Sequence, residues 1–288
     1  MSDSVNQKPN SVGIFGIGTM GRSIAKVLLA KGYTVLAVEA DPEVGQWSMD
    51  RLKADLEDRM NKGRLTKNEL DSMVNRIRLA TDISEILETD CVIECVGEDF
   101  ELKKKVLGSF ESRYAEDRII STNTSSLSVN ELADGLKHPE RFVGIHFFNP
   151  PEVMPLVEIV KGSHTSEGTI VDAESFAKSL GKTPVVVPDI PGFYVNRILF
   201  PMIIEGIRVL EESGSEPSEI DNAMRLGAGM PMGPLELSDF IGNDVVLSIA
   251  RQLARRTGEV GYAPPSILEK MVCERKLGRK SGRGFYKY

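Results

Sequence analysis

Apolar residues follow two different rhythms along this chain of 288 residues. Up to residue 187, short β-branched runs alternate with longer stretches of helical spacing. The runs are SVGIFG at 11–16, YTVLAVE at 33–39, RIRLA at 76–80 and DCVIECV at 90–96. RIISTN at 118–123, RFVGIHFF at 141–148, LVEIV at 156–160 and TPVVV at 183–187 continue the series. Between them the spacing predicts helices over 20–31, 42–61, a stretch after Leu65, 99–114 and 167–180. The first ten residues read as a loose tail. Strands alternating with helices predict an α/β domain on a mainly parallel sheet.

Beyond residue 188 the rhythm is helical only. A turn signal, Asp189 to Gly192, marks the change. Val195, Ile198, Leu199, Met202, Ile203, Ile207 and Leu210 then recur at three- and four-residue spacing, one wide helical stripe. Pro201 lies inside it and predicts a kink or a break, since proline lacks the N–H that the helix needs. Pro217 opens and Gly227 closes a further predicted helix, and 243–256 forms another, ending before Gly258. Two domains are expected, 1–188 and 189–288.

Composition narrows the class of protein. Apolar residues at 41% and charged residues at 27% are those of an ordinary globular chain. A net charge of −7 and a pI near 5.3 argue against nucleic acid as the main partner, which needs a concentrated basic face. No apolar run is long enough for a membrane span, and the polar start MSDSVNQKPN resembles no secretory or organelle leader. A cytoplasmic location is expected. Of the three cysteines, Cys91 and Cys95 share one strand-like run. Their Cα atoms would lie about 13 Å apart, too far for a disulfide. Reduced, structural cysteine is expected, and no metal site.

The first candidate chemistry is Gly16-Ile-Gly18-Thr19-Met20-Gly21, a GxGxxG between a predicted strand and a predicted helix. The first glycine allows the tight turn and the second lets backbone amides approach a pyrophosphate. The third brings helix and strand together, and the helix N-terminus favours the negative charge. Glu39 ends the next strand, eighteen residues after Gly21. A carboxylate there accepts from ribose hydroxyls and repels a 2′-phosphate, which predicts NAD over NADP.

The second is an ionisable pair inside apolar runs. His146 shares a strand face with Phe142 and Gly144, and Glu158 shares one with Leu156 and Val160. Burying an unpaired carboxylate costs several kcal/mol, so each is the obvious partner of the other, across a loop carrying Pro150, Pro151 and Pro155. A carboxylate beside the imidazole would fix its tautomer and prepare it as a base. Two readings stand on local sequence: a buried structural pair, or a catalytic one.

Taken together, GIGTMG, NTSSL at 123–127, GIHFFNPP, DIPGFYVNR, GAGMPMGPLELSDFIG and the closing LGRKSGRGFYKY resemble the short-chain 3-hydroxyacyl-CoA dehydrogenase family. The likeness, which extends to bacterial 3-hydroxybutyryl-CoA dehydrogenases, runs from Val12 to Tyr288. It implies a doubly wound Rossmann domain followed by a smaller all-helical domain that carries substrate contacts and most of a homodimer interface. It also implies reversible oxidation of an (S)-3-hydroxyacyl-CoA by NAD. On this resemblance His146 corresponds to the general base, Glu158 to its carboxylate partner and Ser125 to the hydroxyl that bonds the reacting oxygen. Asn196 corresponds to an amide near the reacting centre. Glu98 and Lys103 correspond to positions near the nicotinamide half of the cofactor; an ordinary surface pair on a helix is the alternative.

The phosphates of CoA call for cations. Arg51, Lys53, Arg59, Lys62, Arg64 and Lys67 supply a positive-rich stretch, interleaved with Asp50, Asp55, Glu57 and Asp58. For any single one of them a solvated helix face is the favoured reading, and only the group as a whole is a candidate. Glu39 stands where the family more usually has aspartate, and Ser281 where it has threonine. Two rivals follow from the same scaffold: a dehydrogenase of a non-CoA hydroxy acid such as L-gulonate, and a non-catalytic NAD-binding protein of the lens-crystallin kind.

Overall fold

The computed structural model describes residues 10–80, 82–111, 114 and 118–288. The expected N-terminal tail, apart from Asn10, and residues 112–113 of the expected helix 99–114 lie outside them. The chain forms two compact units, Met1–Asp189 and Ile190–Tyr288.

The first unit holds one eight-stranded sheet. Its strands are β1 (Ser11–Phe15), β2 (Thr34–Val38), β3 (Ile77–Leu79), β4 (Cys91–Glu94), β5 (Ile119–Thr122), β6 (Phe142–Phe147), β7 (Leu156–Lys161) and β8 (Thr183–Pro188). They lie in the order β3-β2-β1-β4-β5-β6-β7-β8. Every neighbouring pair is parallel except β6 and β7. The order reverses direction between β1 and β4, which opens a crevice at the carboxyl ends of those strands, the place where α/β sheets receive ligands.

Helix α1 (Thr19–Ala30) follows β1 and buries Ile24, Leu28 and Leu29 against the sheet. Helix α2 (Pro42–Asn61) starts at a proline whose missing N–H costs nothing in a first turn, with Asp41 capping Glu43 and Val44. Helix α3 (Lys67–Val74) opens with a reciprocal cap between Thr66 and Glu69. Helix α4 (Phe100–Phe110) is shorter than the predicted 99–114, because Asp99 is its N-cap. A short helix, α5 (Val129–Ala133), went unpredicted, and α6 (Glu167–Ser179) precedes β8.

The second unit is helical: α7 (Val195–Ser213), α8 (Pro217–Ala228), α9 (Pro234–Ile241), α10 (Asn243–Thr257) and α11 (Ser266–Cys273). Its core gathers Phe200, Ile203, Ile204, Ile207, Leu235 and Val246. Ile198, placed on the buried stripe by spacing alone, is 72% exposed instead. The buried face of α7 is turned toward Phe200 and Ile204.

Two other expectations change. Pro201 does not end the element; α7 continues through it. The carbonyl orphaned by the missing N–H is that of Arg197, and the hydroxyl of Tyr262 donates to it at 3.3 Å. Helix α8 runs past Gly227 and ends at Gly229, whose φ of +68° supplies the left-handed cap.

Candidate active site

The glycine turn closes as its spacing requires. Gly16 sits at φ +84°, and a Cβ there would meet the backbone of Cys95 and Val96 at 2.8 and 2.7 Å. A Cβ on Gly21 would lie 2.0 Å from the Gly16 carbonyl, so only glycine brings α1 this close to β1. A Cβ on Gly18 would enter open space. Gly18 is also the N-cap of α1, and no side chain caps that helix. Thr19 begins the helix, and Met20 packs partly buried against the core. Glu39, past the end of β2, is pinned by the Ile17 amide at 3.2 Å and the Ala40 amide at 3.0 Å.

Beside the turn lies a cavity of about 410 Å³ lined by Gly16, Gly18, Glu39, Val96, Leu102 and Ile83, among others. An uncapped helix N-terminus, a glycine cradle and a ribose-facing acid are the donor set a dinucleotide needs, so these residues fit NAD.

The strand ends carry a second set of charges. Phe15, Glu94 and Thr122 stand in register across β1, β4 and β5. Glu94 is completely buried, and Lys103, on α4, is 1% exposed. The ammonium meets both Glu94 oxygens at 2.7 and 2.9 Å and the Val96 carbonyl at 3.2 Å. It also reaches Glu98 Oε2 at 3.4 Å. The surface-pair alternative for Glu98 and Lys103 therefore fails: Lys103 points into the sheet, and Glu98 precedes the helix rather than lying on it.

The other oxygen of Glu98 collects the segment after β5. It accepts from the hydroxyls of Thr124 (2.6 Å) and Ser126 (2.8 Å) and from the amides of Ser125 (2.9 Å) and Ser126 (3.0 Å). The Ser125 hydroxyl is 3.4 Å from the same oxygen. Burial pushes the Glu98 carboxyl up, but Lys103 and these donors outweigh it and hold it below its ordinary range. For Glu94 burial wins over Lys103, Thr122 and the Val96 amide, and its carboxyl lies above that range.

His146 and Glu158 face each other directly across the antiparallel pair β6 and β7. Nδ1 of the imidazole is 2.9 Å from Glu158 Oε2, with the residues 5% and 1% exposed. Phe148 packs against the ring at 4.5 Å between centroids. The Phe147 amide donates to Asn123 Oδ1 at 2.9 Å, which ties β6 to the start of the serine segment. Between β6 and β7 the proline-rich loop is gripped by cations. Lys182 donates to the carbonyls of Pro151 (2.5 Å) and Met154 (2.8 Å), and Lys26 bridges Glu152 and Asp55 at 2.7 and 3.2 Å.

Asn196 is the second residue of α7, buried in the second unit. The positive-rich stretch runs along the exposed side of α2 and the turn after it, where Lys62 pairs with Asp58 at 2.6 Å. Glu94 escaped the sequence reading, although the signal was present: an acid inside the apolar run DCVIECV, the same sign that singled out Glu158.

Fold, glycine turn and acid define a dinucleotide-binding α/β protein. Residues 11–190 match the NAD-binding domain of 3-hydroxyacyl-CoA dehydrogenase and residues 192–288 its C-terminal domain. A probable 3-hydroxybutyryl-CoA dehydrogenase of Bacillus subtilis is 40% identical over 96% of each chain. The mitochondrial hydroxyacyl-coenzyme A dehydrogenase of Rattus norvegicus is 38% identical over 96% of this chain and 90% of its own. The crystal structure of (S)-3-hydroxybutyryl-CoA dehydrogenase from Ralstonia eutropha matches with a TM-score of 0.90 and 40% identity, over 97% of this chain and 99% of that one. The chain belongs to the 3-hydroxyacyl-CoA dehydrogenase family and is an NAD-dependent oxidoreductase.

Proposed function

We propose that the chain interconverts (S)-3-hydroxyacyl-CoA and 3-ketoacyl-CoA, with a short acyl group such as 3-hydroxybutyryl as the preferred substrate. The observation that carries this reading is the buried His146–Glu158 contact, opposed in strand register at 2.9 Å. Bound NAD supplies the hydride acceptor, which protein side chains cannot provide. His146 takes the hydroxyl proton as general base, and in the reverse direction returns it as acid. Glu158, on Nδ1, fixes the tautomer and leaves Nε2 for the substrate. Ser125 donates to the reacting oxygen, and Asn196 contacts substrate near the same centre. Glu39 accepts from the ribose, the amides at Gly18, Thr19 and Met20 receive the pyrophosphate, and Glu98 and Lys103 border the nicotinamide.

On this reading the first unit binds cofactor and the second contributes substrate contacts and a homodimer interface. The exposed apolar side chains of Ile198, Leu226 and Val260 support such an interface. The free cysteines Cys91, Cys95 and Cys273 are in keeping with a reducing, cytoplasmic setting.

The test is NADH oxidation by purified protein with acetoacetyl-CoA and longer 3-ketoacyl-CoAs. Turnover of acetoacetyl-CoA, declining with chain length, is expected. Activity confined to free hydroxy acids such as L-gulonate would overturn the CoA assignment. NADH binding with no turnover of any acyl-CoA would leave only a cofactor-binding protein.

A further inference from the structure

Glu94 has no part in the reaction as described, yet it is a completely buried carboxylate at the carboxyl end of β4, beside the glycine turn. Every neighbour of its two oxygens is a donor. Oε1 accepts from the Val96 amide at 2.7 Å and from Lys103 at 2.7 Å. Oε2 accepts from Lys103 at 2.9 Å and from the Thr122 hydroxyl at 2.6 Å. The ammonium is thus seated on Glu94 and meets Glu98 only at 3.4 Å, at Oε2. That leaves Glu98 Oε1 to gather Thr124, Ser125 and Ser126.

We propose that Glu94 is a positioning residue for Ser125, acting through Lys103 and Glu98, on the reading that Ser125 meets the reacting oxygen. The chain of contacts runs in one direction from core to site. Glu94 fixes the ammonium, the ammonium fixes one oxygen of Glu98, and the other oxygen fixes the backbone and hydroxyls of the serine segment. Glu98 alone is a partly exposed anchor, with about a third of its side chain (32%) open to solvent. Its hold on the segment depends on the buried pair behind it.

The decisive variant is Glu94→Gln. At Oε1 an amide NH2 would face the Val96 amide and Lys103, neither of which can accept; at Oε2 the Thr122 hydroxyl can turn to accept, but Lys103 still cannot. The ammonium must then shift toward Glu98 and draw its carboxylate off the serine segment. The expected result is a kcat with acetoacetyl-CoA lower by roughly tenfold, in line with the cost of small misplacements at a reacting centre. The Kd for NADH, read by fluorescence, changes by less than kcat, because the loss falls on Ser125 more than on the cofactor contacts.

Ser125→Ala and the double variant complete the cycle. If Glu94 acts through Ser125, Glu94→Gln adds no further loss to Ser125→Ala. A kcat for Glu94→Gln within about threefold of wild type, or two losses that multiply, would overturn the proposal. Ser125→Ala alone tests the reading beneath it: an unchanged kcat there removes Ser125 from the chemistry and the proposal with it.

Should Glu94→Gln fail to fold, Glu94→Asp keeps the charge and shortens its reach to Lys103 and the Thr122 hydroxyl. This variant should lose kcat in the same direction and show the same non-additivity with Ser125→Ala. Wild-type kcat in it would overturn the proposal equally.

Discussion

At the scale of single residues, ionisable groups inside apolar runs carried most of the information. His146 and Glu158 were legible because strand alternation and the cost of burial together demand a partner, and each had one candidate. Lys103 was not legible in the same way. It reads as one of several lysines on an amphipathic helix, and only the fold shows that its stem crosses to the buried Glu94. For His146→Gln, kcat should fall by about 10²–10⁴-fold with NADH affinity nearly unchanged, on the proposed reading that the residue supplies proton transfer rather than cofactor binding. Stopped-flow turnover with parallel NADH titration checks both. Glu39 makes a second prediction. Its carboxylate is held beside the glycine turn by two amides, so kcat/KM with NADH should exceed that with NADPH by roughly tenfold or more. Glu39→Ala should narrow that ratio, and equal efficiency in the unaltered chain would contradict the assignment.

Elements were predicted well where local chemistry and tertiary demand coincide. The α2 expectation of 42–61 meets the observed Pro42–Asn61 because a proline and an aspartate cap define its start. Discrepancies arise where a distant group intervenes. A proline in α7 reads as a break, and the helix continues because Tyr262 satisfies the Arg197 carbonyl. Tyr262→Phe removes that donor and should cost about 1 kcal/mol, measured as a lower urea midpoint with an unchanged m-value. Helix α9 went unseen in GAGMPMGPLELSDFIG, although its reason is now plain. Asp221, one element earlier, accepts from the Leu235 and Glu236 amides at 2.9 Å each and so caps the helix from across the fold. Asp239 within α9 likewise accepts from the Phe285 and Tyr286 amides at 3.0 and 2.9 Å. Two of the motifs that marked the family are therefore bound to each other by buried carboxylates.

For the molecule as a whole, carboxylates of opposite behaviour set the response to acid. Asp90 accepts from the Ser11 and Asn10 amides and the Ser11 hydroxyl, where β1 begins. Burial pushes its carboxyl up, but those bonds and Arg118 bring it below its ordinary range, as happens at Glu98. A lowered carboxyl contributes stability above its unfolded pKa and loses it as pH falls through the folded value. Glu94 has the opposite sign. Its raised carboxyl is no burden below the unfolded pKa and becomes one as pH climbs through the folded value. Replacing Asp90 with Asn should therefore shrink the loss of stability between neutral pH and about pH 3, seen as urea midpoints that lie closer together than in the unaltered chain. The parallel architecture was legible from alternation alone, and the single antiparallel step between β6 and β7 follows from its connection, which is too short for a parallel crossover.

That antiparallel step has a consequence for how the catalyst can fail. The imidazole and its carboxylate lie twelve residues apart on one hairpin, and the backbone ladder between β6 and β7 sets their separation. The serine segment hangs from a different support, the charges between β4 and α4. The two supports meet at a hydrogen bond, the Phe147 amide on Asn123 Oδ1 at 2.9 Å, where β6 joins the start of that segment. On the proposed roles, lesions around β4 should slow turnover through Ser125, whereas lesions in the hairpin should do so through His146. On the proposed roles, the acid–base group and the oxygen-binding group thus sit on neighbouring elements of a single sheet, joined where β5 pairs with β6.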